Sequence, residues 1–461
     1  MSQINPNIFK AYDIRGIYPD DLNEEASYLI SRAFAELLKR ENPGRKLKLA
    51  VGWDMRQSSP VLKRRVISGL QDSGVDVDEV GLVSTPTFYF AVAFYGYDGG
   101  IQVSASHNPK EYNGMKLVRA RAVPVSKNTG IRAIYEMIAN KALPAVAPKK
   151  GKAGRRENIL KDELEQQTNF CDFAAIKPFK IVIDAANAMG ALDMEALFSK
   201  LPCQVIKMNF RLDGSFPAHQ PDPMVMENTE ALRKRVVEEE ADLGIAPDGD
   251  GDRYFFVDEQ GKLVPQAILR GLMAQIELEE HPRATVAYDI RPGRITKDMI
   301  DQYNGKAIVT PVGHSLIKEM MIENDAIFGG ESSGHYFYKF PYGTFEAPMV
   351  LVLKFLRFMS QAAKPVSEML KPYDRYFHSG EINTKMEDRR QVEAKIEAVK
   401  EKYKDGKQIF IDGVTVEYPD VWFNLRASNT EPLIRLTVEG KTREIVERTR
   451  DDILALIRGR N

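Results

Sequence analysis

Apolar residues in the first third of the chain follow two alternating spacings. Across residues 24–40, Ala26, Leu29, Ile30, Ala33 and Leu37 recur at intervals of three or four, which predicts an amphipathic helix. Residues 46–52 (KLKLAVG) form a short aliphatic run that predicts a strand, and residues 60–73 return to helical spacing. Residues 75–83 and 100–104 again read as strands. Such alternation predicts helices layered on a largely parallel sheet.

The segment 144–158 (PAVAPKKGKAGRREN) breaks this rhythm with Pro, Gly, Lys and Arg, and reads as a connector rather than a packed element. A second αβ stretch opens with the strand 180–184 (KIVID) and closes with strands at 243–246 and 254–257. A third holds strands at 284–288, 307–310 and 326–328 and a helix at 295–303. Near Pro372 the texture changes. Strands at 422–425 and 434–438 then mix with helices at 389–403 and 443–457, as in a smaller α+β domain. The expected domains are therefore 1–155, 156–261, 262–372 and 373–461. Three times a short apolar strand runs into a polar loop containing Gly or Pro: GGIQV into SASHNP, LGIAP into DGDGDR, and AIFGG into ESSGH. Ligands of open α/β sheets bind beyond the carboxyl ends of strands, so these loops are where chemistry is expected. No close sequence repeat accompanies the recurrence.

Composition narrows the function classes. At 461 residues the chain exceeds a single core and suggests about three or four domains. Its formal net charge of −1 supplies no basic field, which argues against nucleic acid as a partner. A site for an anion must be built locally. The most apolar stretch, 348–359, is interrupted by Lys354 and Arg357, so no membrane span is expected. The polar N-terminal segment and the unpatterned pair Cys171 and Cys203 make a reducing, cytoplasmic setting the default expectation.

Four motifs carry candidate chemistry. Ser106, in the loop Ser104-Ala105-Ser106-His107-Asn108-Pro109, follows a strand and small neighbours that admit a substrate; the plain alternative is a Ser/Asn/Pro turn. No GxSxG elbow is present, which argues against an ester hydrolase. Asp248, Asp250 and Asp252 alternate with glycines. In an extended segment they converge, and their repulsion calls for a hard cation such as Mg²⁺. A solvated acidic turn is the alternative. An EF-hand is rejected because Arg253 stands where its sixth-position glycine is required. Glu331, Ser332, Ser333 and His335 can hydrogen-bond sugar hydroxyls, or simply start a helix. Arg426, Ser428, Asn429 and Thr430, with Arg435 beyond, offer donors for a phosphate, or form a polar hairpin loop.

Taken in this order, and with KAYDIRG at 10–16, SGEINTK at 379–385 and NLRASNTEPLIRL at 424–436, these motifs resemble the α-D-phosphohexomutase superfamily, nearest its bacterial phosphomannomutase/phosphoglucomutase branch. The resemblance implies an α/β protein: three similar αβ domains with mixed sheets and a smaller C-terminal α+β domain around a central cleft. It implies a phosphoserine at Ser106, with Ser106, Asp248, Asp250 and Asp252 as Mg²⁺ ligands. Arg15, Lys116, Arg253 and His107 are implied at the transferring phosphoryl group, with Lys116 a general acid/base if its neighbours lower its pKa. Tyr12, Arg291, His314, Glu331, Ser333 and His335 are implied as substrate contacts. Arg426, Ser428, Asn429, Thr430 and Arg435 are implied around the distal phosphate. The implied reaction interconverts hexose 6- and 1-phosphates, mannose first and glucose also, through a 1,6-bisphosphate that also serves as activator. The last domain is expected to move about a hinge near Pro372. Phosphoglucosamine mutase, metal-dependent sugar phosphatase and non-catalytic sugar-phosphate binder are the rival readings. Only a small-molecule partner is implied, and the oligomeric state is not legible.

Overall fold

The computed structural model describes residues 4–169, 173–291, 293–428 and 432–459. The chain divides into two compact units, Met1–Val264 with Ser333–Met369, and Pro265–Ser332 with Leu370–Asn461.

In the first unit, a sheet of six strands runs in the order Ile14–Ile17, Tyr112–Arg119, Gly99–Val103, Lys48–Trp53, Asp76–Leu82, Ala153–Arg155. The first two pairings are antiparallel and the other three parallel, so the sheet is mixed. The helix Glu24–Glu41 covers it with the apolar face read from its spacing. Asn23 caps it by accepting the N–H of Ala26 (3.0 Å), and Glu24 and Glu25 at one end and Lys39 and Arg40 at the other complement its dipole. Ile30, Ala33 and Phe34 are fully buried in the core beneath it.

Two departures from the sequence reading stand out. Residues 144–158 are not merely a connector: Ala153–Arg155 adds a parallel strand to Asp76–Leu82, and Gly151 is buried against Val75. All three residues of that edge strand are exposed, so no apolar alternation marks it. The helix Thr85–Phe94 is the other. It is apolar and buried on nearly every side, and carries no amphipathic signal.

A second sheet in this unit orders Tyr254–Val257, Leu243–Pro247, Lys180–Asp184, Gln204–Met208, again mixed. Both Gly99–Val103 and Leu243–Pro247 are buried along their whole length, and each ends at one of the polar loops. Behind the second loop lies a buried acidic pair, Glu163 and Asp193. Thr87 Oγ1 donates to Glu163 Oε2 (2.6 Å), and Gln167 donates to Oε1 (2.7 Å). Burial raises Glu163 well above the carboxylate range, with the Asp193 charge adding to the rise, and burial pushes Asp193 up to about 7. Carboxyls raised in this way bind protons more tightly folded than unfolded. Their stabilisation is full below about pH 4 and is lost as pH climbs toward 7. Glu163→Gln should flatten that decline, gaining on the order of 1–3 kcal/mol over wild type at pH 8. Thermal melts from pH 5 to 8 check this, and parallel Tm curves for the two proteins would refute it.

The second unit combines a parallel trio, Lys306–Thr310, Thr285–Asp289 and Phe328–Gly330, with a mainly antiparallel sheet near the C-terminus. In that sheet Leu433–Gly440 pairs with both Val421–Ala427 and Ile382–Lys385, and Arg389–Lys402 and Arg443–Arg458 supply its helices. Glu439 ties the two parts of this unit together. Its buried carboxylate accepts the N–H groups of Gly293 (2.9 Å) and Arg294 (3.0 Å), at the start of the helix Arg294–Gln302, and the indole N–H of Trp422 (2.6 Å). No helix among the described residues is long and apolar enough to cross a membrane.

Candidate active site

Ser106 holds a left-handed backbone conformation (φ 52°), which costs a non-glycine residue about 1–2 kcal/mol and must be imposed by its surroundings. Its N–H donates to Ser104 Oγ (3.1 Å), and its own Oγ donates to Asp248 Oδ2 (3.0 Å). His107 Nδ1 lies 3.2 Å from the same hydroxyl. The sequence motif placed Asp248, Asp250 and Asp252 on one side of an extended segment. They do converge, with oxygen atoms within 4.8 Å of one another, but on a turn. Asp248 Oδ1 accepts the N–H groups of Gly251 (3.1 Å), Asp252 (3.1 Å) and Arg253 (3.2 Å), which wraps the loop around its own first carboxylate. Asp250 Oδ2 accepts from Thr85 Oγ1 (2.5 Å), whereas its buried Oδ1 has no hydrogen-bond donor. An all-oxygen, buried, triply acidic set with an unsatisfied carboxylate oxygen fits a hard divalent cation.

Cations surround these carboxylates. Lys116 Nζ sits 2.7 Å from Asp250 and 2.6 Å from Asp252. Arg253 reaches Asp248 through Nε (2.9 Å) and NH2 (2.8 Å). Arg15 is held by Asp13 (2.6 Å) and donates to Asn108 Oδ1 (2.6 Å) in the serine loop. His335 Nε2 lies 3.3 Å from Asp252 Oδ1, and its Nδ1 meets Ser333 Oγ (3.0 Å). Tyr12 lies half-buried just ahead of the strand that carries Arg15.

The electrostatics correct one expectation. Burial alone would lower the pKa of Lys116, but the carboxylates of Asp250 and Asp252 override it and hold the amine well above its ordinary value. The neighbours thus keep Lys116 protonated instead of tuning it toward neutrality, because each offers a full charge within hydrogen-bond distance. Burial pushes Asp248 up to about 7, against the pull of Arg253. Asp252, in contrast, is held well below the carboxylate range because Lys116 and His335 outweigh its burial. Burial, reinforced by Arg253 and Arg15, pushes His107 well below the usual imidazole range, so its ring is neutral; with the one Ser106 proton given to Asp248, the Nδ1–H tautomer donates to Oγ.

In the second unit the remaining expected residues form two groups. Arg291 bridges Asp289 (2.5 Å) and Glu331 (3.1 Å), and Glu331 also accepts the N–H of Gly313 (3.0 Å), next to the buried His314. Arg426 and Arg435 face each other across paired strands, and Glu381 binds both, at 2.7 and 3.1 Å. Ser428 closes the strand end by donating its N–H to Leu433 O (2.9 Å). Asn429 and Thr430 lie outside the described residues. Thus the loop 331–335 divides: Glu331 belongs with Arg291, whereas Ser333 and His335 belong with the Asp252 cluster of the first unit.

Several contributors escaped the sequence reading. Thr85, on a helix without periodic signal, supports Asp250; Glu346 places an oxygen within 4.8 Å of the Asp252 and His335 ligand atoms. Glu381 lies in the SGEINTK motif, but nothing in that string marks it as the partner of two arginines forty or more residues away.

With this geometry in view, four family models match the chain in order. They are phosphoglucomutase/phosphomannomutase alpha/beta/alpha domain I (residues 6–144), domain II (161–261), domain III (267–376) and the C-terminal domain (381–456). A phosphomannomutase of Escherichia coli is 37% identical over 98% of this chain and 99% of its own length. A protein of Xanthomonas campestris described as phosphohexose mutases is 37% identical, again over 98% of this chain and 99% of its own. A crystal structure of a phosphoglucomutase/phosphomannomutase family protein from Burkholderia thailandensis matches with a TM-score of 0.90 at 29% identity, covering 99% of this chain and 98% of that one.

Proposed function

Because the chain belongs to the phosphoglucomutase/phosphomannomutase family, a family of four-domain enzymes, we propose that it interconverts hexose 1-phosphates and hexose 6-phosphates, mannose first and glucose also, through a phosphoserine at Ser106. One observation carries the reading: the Ser106 hydroxyl lies 3.0 Å from the first of three clustered aspartates, ringed by Lys116, Arg253 and Arg15.

A hydroxyl oxygen of the hexose monophosphate bonds to phosphorus as the bond from phosphorus to Ser106 Oγ breaks. The sugar becomes a 1,6-bisphosphate, and the hydroxyl proton ends, in net balance, on Oγ. After the sugar turns end for end, its other phosphoryl group returns to Ser106 by the reverse displacement, and the isomeric monophosphate leaves. Phosphoryl transfer depends chiefly on positioning and charge neutralisation. Arg15, Arg253 and protonated Lys116 supply positive charge to the phosphoryl oxygens, with Lys116 the candidate acid for the departing Oγ. The neutral His107 orients the hydroxyl. Asp248, Asp250 and Asp252, together with a phosphoserine oxygen, would hold Mg²⁺. When bound, that ion offsets the charge of the phosphoryl oxygens and of the carboxylates. Glu331, Ser333 and His335 read sugar hydroxyls, with Tyr12, His314 and Arg291 as further contacts. Arg426, Ser428, Asn429, Thr430 and Arg435 grip the phosphate that is not reacting. A hydrolase has no need of that second grip, which disfavours a phosphatase.

The test compares mannose 1-, glucose 1- and glucosamine 1-phosphate side by side, with and without a trace of hexose 1,6-bisphosphate. The expected result is fastest turnover with mannose, slower with glucose, and at least about tenfold activation by the bisphosphate at low enzyme loading. Release of inorganic phosphate in place of isomer would overturn the reading, and a clear preference for glucosamine would reassign the sugar.

A further inference from the structure

Arg56 is fully buried, yet it is absent from every group assigned above. Its guanidinium is spent on backbone carbonyls. NH2 donates to the carbonyl oxygens of Ser106 (2.7 Å) and Asn108 (2.6 Å), and NH1 donates to those of Pro109 (2.7 Å) and Tyr112 (3.0 Å). These four acceptors span the loop that carries Ser106 and the entry to the next strand. Asp54 orients the fork from behind: its Oδ2 lies 3.3 Å from Arg56 Nε, and its Oδ1 accepts the N–H of Arg56 (3.0 Å) and the hydroxyl of Ser59 (2.6 Å). The ring of Phe216 stacks beneath the guanidinium, 5.0 Å from its carbon.

A buried charge pair of this kind gives little net stability, because desolvation offsets most of its attraction. Its geometric effect is larger. The left-handed conformation of Ser106 is unfavourable in isolation and persists only where the surroundings impose it. A planar fork with fixed donor directions is the side chain able to hold four carbonyls at once; an ammonium is a point charge and cannot reproduce that spread.

We propose that Arg56 is the positioning residue for the nucleophile: it acts through the carbonyls of residues 106–112 to hold Ser106 Oγ in line for phosphoryl transfer, and it takes no part in substrate binding. The inference rests on the mutase reading of Ser106. Arg56→Lys keeps the charge and removes the fork, while Asp54→Asn keeps the shape and removes the charge that orients it. Each variant and the wild type are mixed with glucose 1,6-bisphosphate, and phosphorylation of Ser106 is followed by rapid quench and intact mass. Steady-state kcat and KM for the preferred hexose 1-phosphate and near-UV circular dichroism are measured in parallel. The expected result is a native spectrum, a loss of about 10- to 100-fold in both loading rate and kcat, and KM within about threefold of wild type. A folded Arg56→Lys that loads at the wild-type rate, or a loss confined to KM, would overturn the inference. Should Arg56→Lys not fold, Asp54→Asn decides by the same two rates, a loss of about tenfold supporting the proposal and unchanged rates refuting it. Wild type that never takes up the phosphoryl group would instead remove the mutase reading on which the inference stands.

Discussion

Ser106→Ala is expected to lower turnover by about 10³- to 10⁶-fold while leaving a folded protein. The loss is large because the serine is the covalent carrier: without Oγ neither half of the exchange has an acceptor, and among the described residues no other hydroxyl hydrogen-bonds Asp248. The fold should survive for local reasons. Alanine tolerates the same backbone with similar strain, and Asp248 Oδ2 still accepts from Arg253 Nε (2.9 Å) and keeps its ion pair with NH2 at 2.8 Å. A stability change of about 1 kcal/mol is therefore expected, the scale of one hydrogen bond. KM should change little, since the groups assigned to sugar and distal phosphate are untouched. Intact mass of wild type after incubation with bisphosphate should show one added phosphoryl group, and Ser106→Ala none. Full turnover in the alanine variant would end the phosphoserine assignment.

What the sequence made legible follows from which interactions are local. The helix Glu24–Glu41 and the strand Lys180–Asp184 bury one face or a continuous run, and that burial is written into their apolar spacing. Thr85–Phe94 was hidden because burial all round erases the helical period, and Ala153–Arg155 because an exposed edge has no apolar face. The aspartate cluster was recognisable by its residue types, although it converges by a turn that one carboxylate templates and not by strand alternation. Arg56 lies within DMRQSS, between the expected strand 46–52 and the expected helix 60–73. Its acceptors lie fifty or more residues onward, and no spacing within a single segment encodes them. Lys116 teaches the same lesson for charge: its pKa is set by Asp250 and Asp252, more than a hundred residues away.

Gly249→Ala should be nearly as damaging to turnover as losing a charged member of the site, although it adds a single methyl group. A Cβ there would stand 2.2 Å from the carbonyl oxygen of Ser106 and 3.0 Å from its carbon, a backbone contact with no flexible side chain to yield. Neither strand of this contact can retreat cheaply. The Ser106 carbonyl is gripped by Arg56 (2.7 Å), and the loop on the other side is pinned where Thr85 donates its N–H to the Asp250 carbonyl (2.9 Å). Relief therefore has to come from separating the serine from the aspartates by about 1 Å, and a displacement of that size can cost about 100-fold in rate. Overpacking adds a stability loss of about 1–3 kcal/mol. Gly251→Ala is the informative comparison: Gly251 sits at φ 76°, and its Cβ would meet nothing closer than 3.3 Å. That variant should pay the left-handed strain of about 1–2 kcal/mol with a smaller loss of rate. Measured kcat falling far more for Gly249→Ala than for Gly251→Ala, at similar Tm, would show that the spacing of the two loops sets the rate. Equal, mild effects would mean that the serine and the aspartates tolerate being pushed apart, and the close approach would then have no bearing on the chemistry.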